Sequence, residues 1–218
     1  FAYSPENLRL GNAIDIFLNP DRVVVGVRSN DDRIVLSKLL SPITENIEWM
    51  SVESAEMTKH AINAFLATSV TFANEIASIC ELVGADAKEV ERGLKSESRI
   101  GPKAYLSPGG PFAGGTLARD IDFLGKISQH RQLETPLLAS VRLSNDAHKK
   151  WVQRKILENF HELPGLRVAV WGLAYKAGTD TLRRSHSVEL IDWLLEHRVR
   201  VQVYDPVVKE LPLHWSNR

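Results

Sequence analysis

Cysteine is nearly missing from these 218 residues. Cys80 stands alone, which excludes an intramolecular disulfide and fits a reducing compartment. An excess of either charge is missing too: 27 Lys and Arg face 27 Asp and Glu, so the formal net charge is zero. That balance leaves no electrostatic footprint for nucleic acid or an anionic membrane. No stretch approaches the roughly 18 to 20 apolar residues of a transmembrane helix, and no signal peptide is visible. A cytoplasmic location is the resulting expectation. The three-glycine G-x-G-x-x-G of a dinucleotide site is absent, as are repeats and low-complexity tracts. The chain opens on Phe1 in "FAYSPENL", mid-motif in character, and is expected to be a piece of something longer.

What is present is an ordinary globular mix, 44% apolar and 25% charged, enough for one good core or two small ones. The β-branched run "RVVVGV" at 22–27 reads as a buried strand. A helix at 31–40, stopped before Pro42, and a strand at 47–50 complete a βαβ unit of a parallel sheet. From Ser54 to Val83 the period changes to that of a helix, with Ile62, Phe65, Phe72, Ile76, Ile79 and Val83 mostly three or four residues apart. Ser54 is the expected N-cap and Gly84 the expected stop. At about 1.5 Å per residue this helix runs on the order of 45 Å, a spine linking lobes rather than an element of one small domain. Further helices are expected at 87–94, 117–130 and 136–160, the last ended by Pro164-Gly165. A buried strand at 167–171, a loop at 172–185, a helix at 187–197 and a strand at 199–204 then begin a second βαβ unit. It carries one glycine where a dinucleotide fingerprint needs three.

The stretch "SPGGPFAGGTLARD", 107–120, is the most unusual. Four glycines and two prolines fall between Pro108 and Thr116, just before a helix. Glycines allow close approach to the backbone and a helix start offers free N–H groups. Alone, the stretch also fits an Ω-like surface loop with Thr116 as helix N-cap.

Four segments settle its context. "YSPENLRLG", "SAEMTKHAINAFLATSVTFANEIASICELVGAD", "SRIGPKAYLSPGGPFAGGTLARD" and "GLAYKAGTDTLRRSHS" resemble, in order, signature segments of the UDP-glucose/GDP-mannose dehydrogenase family. The resemblance runs over nearly the whole chain. It implies an α/β protein with a large all-α portion. The expected parts are the end of an N-terminal NAD-binding Rossmann domain (1–52), a helical dimerisation domain on a long spine helix (53–160) and the start of a C-terminal, Rossmann-like nucleotide-sugar domain (161–218). It further implies NAD as cofactor, a UDP- or GDP-hexose as substrate and a homodimer. By itself this stretch of the enzyme is expected to be inactive.

Family roles transfer only where motif residues match. Glu6 matches a glutamate that helps activate water, whereas the second glutamate of that motif is replaced by Leu10. Lys59 and Asn63, four apart, share one helical face and can converge on one oxygen; in relatives the pair stabilises oxyanion character at the sugar carbon being oxidised. Arg99 matches an arginine that reaches the sugar across the dimer interface. Lys176 and Arg183 match cations beside the sugar nucleotide and the dinucleotide respectively, and cations suit phosphate charge. In the loop, Phe112 and Gly114 are the expected substrate contacts, and Asp120 falls on an aspartate that orients the reacting region. Thr116 falls where the family has its catalytic cysteine, and Arg184 and His186 replace a glutamate and a proline. A thiol would hold the aldehyde covalently on the way to a carboxylate. Without it the open alternatives are a two-electron oxidation, hydration of the aldehyde without covalent help, a noncatalytic nucleotide-sugar binder, or a dimerisation partner for an active paralogue.

Overall fold

The computed structural model describes residues 1–6, 12–113, 115–175 and 177–215. Two compact units divide between Asn63 and Ala64.

In the first unit, β2 (Val23–Val27) is flanked by β1 (Ala2–Tyr3) and β3 (Ile47–Met50). The β2–β3 pair is parallel, Val25 facing Trp49, and the β1–β2 pair is antiparallel. Neither β1 nor the short helix α1 (Ala13–Leu18) was expected, because both are too short for a period to register. Helix α2 (Asn30–Leu40) crosses between β2 and β3 with Ser29 as N-cap, its hydroxyl accepting the Asp32 N–H at 3.1 Å. The βαβ reading of this region therefore holds.

The spine is α3 (Val52–Val83), 32 residues long and about 48 Å at 1.5 Å per residue. It begins earlier than expected. Ser51, not Ser54, caps it: the Ser51 hydroxyl accepts the Ser54 N–H at 3.2 Å and the Ser51 carbonyl accepts the Ala55 N–H at 3.0 Å. Gly84 ends it at φ +73°, with the Ala85 N–H bonded back to the Cys80 carbonyl. Among the described residues it is the one helix long and apolar enough to cross a membrane by length and composition, which the residue count had not suggested. Its character is amphipathic in an unexpected sense. In the second unit the buried face is small, with Ala64, Ala67, Ala73 and Cys80, while Phe65, Phe72 and Ile79 are exposed.

Small residues let other elements approach α3 closely. Ala64 and Ala67 pack with Phe112, with Ala118 and Ile121 of α5 (Thr116–His130), and with Val141 of α6 (Pro136–Lys149). Before them comes α4 (Ala87–Ser96), capped by Asp86. The helix expected at 136–160 is two: α6 ends at Lys149, Lys150 (φ −84°, ψ 3°) separates the two, and α7 (Trp151–Asn159) follows. The break is set by docking, since the Trp151 indole N–H donates to Glu81 at 2.9 Å and Lys155 pairs with the same carboxylate.

The remainder is a two-stranded parallel sheet of β4 (Arg167–Trp171) and β5 (Arg200–Tyr204), joined by α8 (His186–Glu196). Leu163, Leu173, Ile191, Leu194 and Val199 form its core. Of β4 only Val170 is buried, and the paired Trp171 and Tyr204 are exposed, so β4 is less buried than its sequence predicts.

Candidate functional site

In the first unit, Lys59 and Asn63 stand one turn apart on α3, as their spacing requires. The Lys59 ammonium donates to the backbone carbonyl of Glu6, which brings these two expected site residues together. Asn63 is buried. Leu10 lies outside the described residues.

In the second unit the glycine-rich stretch is held at successive points. At its start, Glu91 of α4 accepts from the Ser107 hydroxyl and from Lys95 at 2.7 Å. The Lys95 ammonium, the Ser107 hydroxyl and Lys88 together hold the Glu91 carboxyl at about 2, well below its ordinary range. Asn74 of α3 then accepts the Gly109 N–H at 2.9 Å and reaches the Gly110 carbonyl at 3.4 Å. His148 Nε2 lies 2.8 Å from the Gly109 carbonyl and, facing an acceptor, carries the proton. Asn145 of α6 accepts the Phe112 N–H and donates to the Phe112 carbonyl, both at 2.9 Å. These asparagines were not singled out from sequence. Their signal was a polar residue at a core-facing helical position, legible only once the buried faces of α3 and α6 are known.

The Phe112 ring lies in the core against Ala64, Ala118 and Val141. The structure thus gives this expected substrate contact a packing role. Gly114 and Lys176, also expected at the substrate, lie outside the described residues.

Thr116 is exposed and is the first residue of α5, with Gly115 as N-cap. The expectation that Thr116 itself caps the helix is therefore wrong. Its backbone is already helical, and Gly115 has no side chain to accept an N–H, so the first-turn donors of α5 are left without a side-chain cap. Asp120, one turn on, is buried, with Arg119 Nε 3.6 Å from it. The loop after β4 approaches the same point: a methyl built on Gly115 would lie 3.4 Å from the Tyr175 hydroxyl and 3.8 Å from the Arg184 guanidinium. Arg184 sits at φ +65°, a left-handed conformation uncommon outside glycine. The base of this loop is fixed by Asp205, whose carboxylate accepts the N–H groups of Leu173, Ala174, Val207 and Val208 at 2.7–3.1 Å. These four donors, the Val207 amide first, hold its pKa at about 2.

Arg183 is exposed. The Arg99 side chain is 86% exposed and pairs with Glu97 at 2.9 Å. His186 takes the first position of α8, where a proline is readily accommodated. Both its ring nitrogens are shielded without a hydrogen bond, and Nδ1 is 3.7 Å from Glu189. With His148 it lines a cleft of about 720 Å³ that also touches Asn74, Gly109, Gly110 and Trp151.

Residues 53–147 match the model of the central domain of the UDP-glucose/GDP-mannose dehydrogenase family, and residues 169–217 match the family's UDP binding domain. The chain belongs to this family. It is 38% identical over 210 residues to a UDP-glucose 6-dehydrogenase of Rickettsia bellii, covering 94% of this chain and 48% of the relative. To the UDP-glucose 6-dehydrogenase AglM of Haloferax volcanii it is 36% identical, covering 96% and 49%. Its fold superposes on a UDP-glucose dehydrogenase from Pyrobaculum islandicum with a TM-score of 0.88 and 32% identity, over 94% of this chain and 48% of that one. The chain spans about half the length of the relatives it matches.

Proposed function

We propose that this chain is the central and nucleotide-binding portion of a nucleotide-sugar dehydrogenase that oxidises the C6 hydroxyl of a UDP- or GDP-hexose in the cytoplasm. On this reading 1–52 belong to the NAD-binding domain, 53–160 to the dimerisation domain and 161–218 to the nucleotide-sugar domain. The observation that carries it is the convergence at α5. The glycine-rich loop delivers Thr116, in the family cysteine's place, to an exposed first turn, and the loop bearing Tyr175 and Arg184 closes on the adjoining Gly115.

The family's hydride acceptor is NAD, which supplies the oxidising power when bound. The β2–α2 turn does not suit it: Arg28 and Ser29 stand where close phosphate approach needs glycines, and Ser29 caps α2 itself. Of the described residues only Arg183 is assigned to the dinucleotide. The substrate side is better furnished. Lys59 and Asn63 donate to the C6 oxygen as its proton leaves, Lys59 as a charge and Asn63 as a fixed amide. Glu6 and Asp120 are assigned to water, Gly114 to the sugar, Lys176 to the diphosphate and Arg99 to the neighbouring protomer, while Phe112, its N–H and carbonyl both taken by Asn145, supports the loop.

Thr116 changes the second half of the reaction. An alcohol is un-ionised at neutral pH and needs a placed base to attack a carbonyl, so the aldehyde is released rather than carried to a carboxylate. The same departure, with Leu10, favours the second reading, a nucleotide-sugar binder without turnover. Incubating the longer protein with NAD and UDP-glucose or GDP-mannose separates them. Reduced NAD with free aldehyde is expected; binding without any reduced NAD establishes the binder.

A further inference from the structure

We propose that Asn74 and Asn145 are positioning residues: from two helices they clamp the glycine-rich loop in the shape that presents Thr116 and its backbone to a ligand. The proposal rests on the nucleotide-sugar reading for the identity of that ligand.

A loop with four glycines between Pro108 and Thr116 has little intrinsic preference for one conformation, and ordering it costs more backbone entropy than ordering other residues. The Phe112 ring anchors its middle in the core, but at Gly109 and Gly110 no side chain can, because they have none and a Cβ at either would meet nothing within 4 Å. The main chain must be held directly. A primary amide is the suitable group, since it offers one acceptor and a donor in the geometry of a peptide. Asn145 uses both on the single residue Phe112, as a neighbouring strand would. Asn74 uses both on the consecutive residues Gly109 and Gly110, accepting the N–H of the first and donating to the carbonyl of the second. Each asparagine is 2% exposed; the Asn145 bonds are buried and shielded from competing water, whereas those of Asn74 are part-buried at the edge of the cleft.

The two clamps are also tied to each other. The Ser144 hydroxyl, one residue before Asn145, donates to Glu75, one residue after Asn74. The loop thus hangs from a cross-braced pair of helices, and Thr116 begins α5 four residues beyond Phe112. A shift of either asparagine moves the backbone that leads directly to Thr116.

Aspartate replacements test this with a reversible switch. A protonated Asp keeps one donor and one acceptor, whereas an ionised one only accepts and repels the loop carbonyl. Burial and that carbonyl raise the carboxyl above the ordinary carboxylate range, so a series from about pH 5 to about pH 9 crosses the change. Asn74→Asp and Asn145→Asp, in the 218-residue chain, are compared with the parent at each pH because His148 shares Gly109. At low pH both variants are expected to match the parent in amide exchange at Gly109, Gly110 and Phe112, and in calorimetric affinity for UDP-glucose. At high pH, exchange at those amides accelerates and affinity falls about tenfold, while α6 and α8 amides keep their protection. Loop exchange that does not change with pH relative to the parent overturns the clamp, as does loss of protection spread evenly over the helices. Should the parent itself not bind UDP-glucose, the functional reading fails, and the exchange series still decides the clamp.

Discussion

Gly26 lies directly against Val52: a methyl on Gly26 would fall 2.7 Å from the Val52 Cα, 2.8 Å from the Ala55 Cβ and 2.9 Å from the Ser51 carbonyl oxygen. Two of those atoms are backbone at the start of α3, where Ser51 caps the helix. Neither can turn aside as a flexible side chain would. Gly26→Ala is expected to destabilise the first unit by roughly 1–3 kcal/mol, the usual range for forced overpacking. Urea unfolding followed on the Trp49 fluorescence, one strand away, measures it. A loss below about 0.5 kcal/mol, the scale of an ordinary surface change, would show that the sheet and α3 can separate freely.

That contact also illustrates what the sequence could reveal. Gly26 inside "RVVVGV" reads as a residue in a strand, and nothing local says that a helix passes over it. Periodicity located α2, β3, β4 and nearly all of α3, because those segments are long or strongly patterned. It left open the meaning of the α3 stripe. Phe65, Phe72 and Ile79 set the period but not the side that is buried, and the buried face is the one with Ala64, Ala67 and Ala73. Hydrophobicity ranks side chains by size, whereas close helix packing selects small ones. The break at Lys150 was invisible for a related reason: it follows from Trp151 and Lys155 docking on Glu81, a tertiary cause. Lys59 and Asn63 were assigned through the family resemblance, their spacing adding only that they share a helical face, while Asn74 and Asn145 required knowledge of which faces are buried.

The exposed stripe leads to an assembly prediction. Phe65, Phe72 and Ile79 recur every seven residues, so they line one side of α3, and they are 70%, 44% and 54% exposed. A second copy of the chain is the expected cover, through a two-fold contact of the spines. Sedimentation should give a dimer at tens of micromolar. Phe72→Arg should give a folded monomer, since that side chain is only partly buried within the chain. A monomeric parent would remove both the dimer and the role of Arg99 across it.

Acid should act through Asp205. Its folded pKa of about 2 lies below the ordinary 3.8 because four backbone N–H groups favour the carboxylate. A depressed folded value means the stabilisation is complete above the unfolded pKa and is lost as pH falls from about 4 toward about 2. Asp205→Asn keeps one oxygen acceptor but places a donor against two of the N–H groups. The variant should be less stable than the parent at neutral pH, and the gap should narrow between pH 4 and pH 2. Thermal unfolding at a series of pH values reads this directly. A gap independent of pH would mean that the carboxylate charge contributes nothing to holding the loop that leads to Tyr175.

The sharpest test concerns Thr116. A cysteine thiol has an ordinary pKa near 8.5, and helix N-termini and neighbouring cations lower it. Thr116 occupies the first turn of α5, whose leading residue Gly115 offers no side-chain cap, and the Arg184 guanidinium approaches that same glycine. A thiol placed there has the surroundings of a reactive thiolate, whereas the threonine alcohol does not ionise in them. Thr116→Cys should therefore react with iodoacetamide at neutral pH at least tenfold faster than Cys80, which is buried on α3. In the longer protein supplied with NAD and a UDP- or GDP-hexose, the variant should trap aldehyde as a covalent adduct visible by mass spectrometry, and the parent should not. Hydrolysis of that adduct should remain slow, because Leu10 replaces the second glutamate of the water-activating motif. Efficient uronate formation by the parent through an ester at Thr116 would overturn the assignment of a truncated reaction.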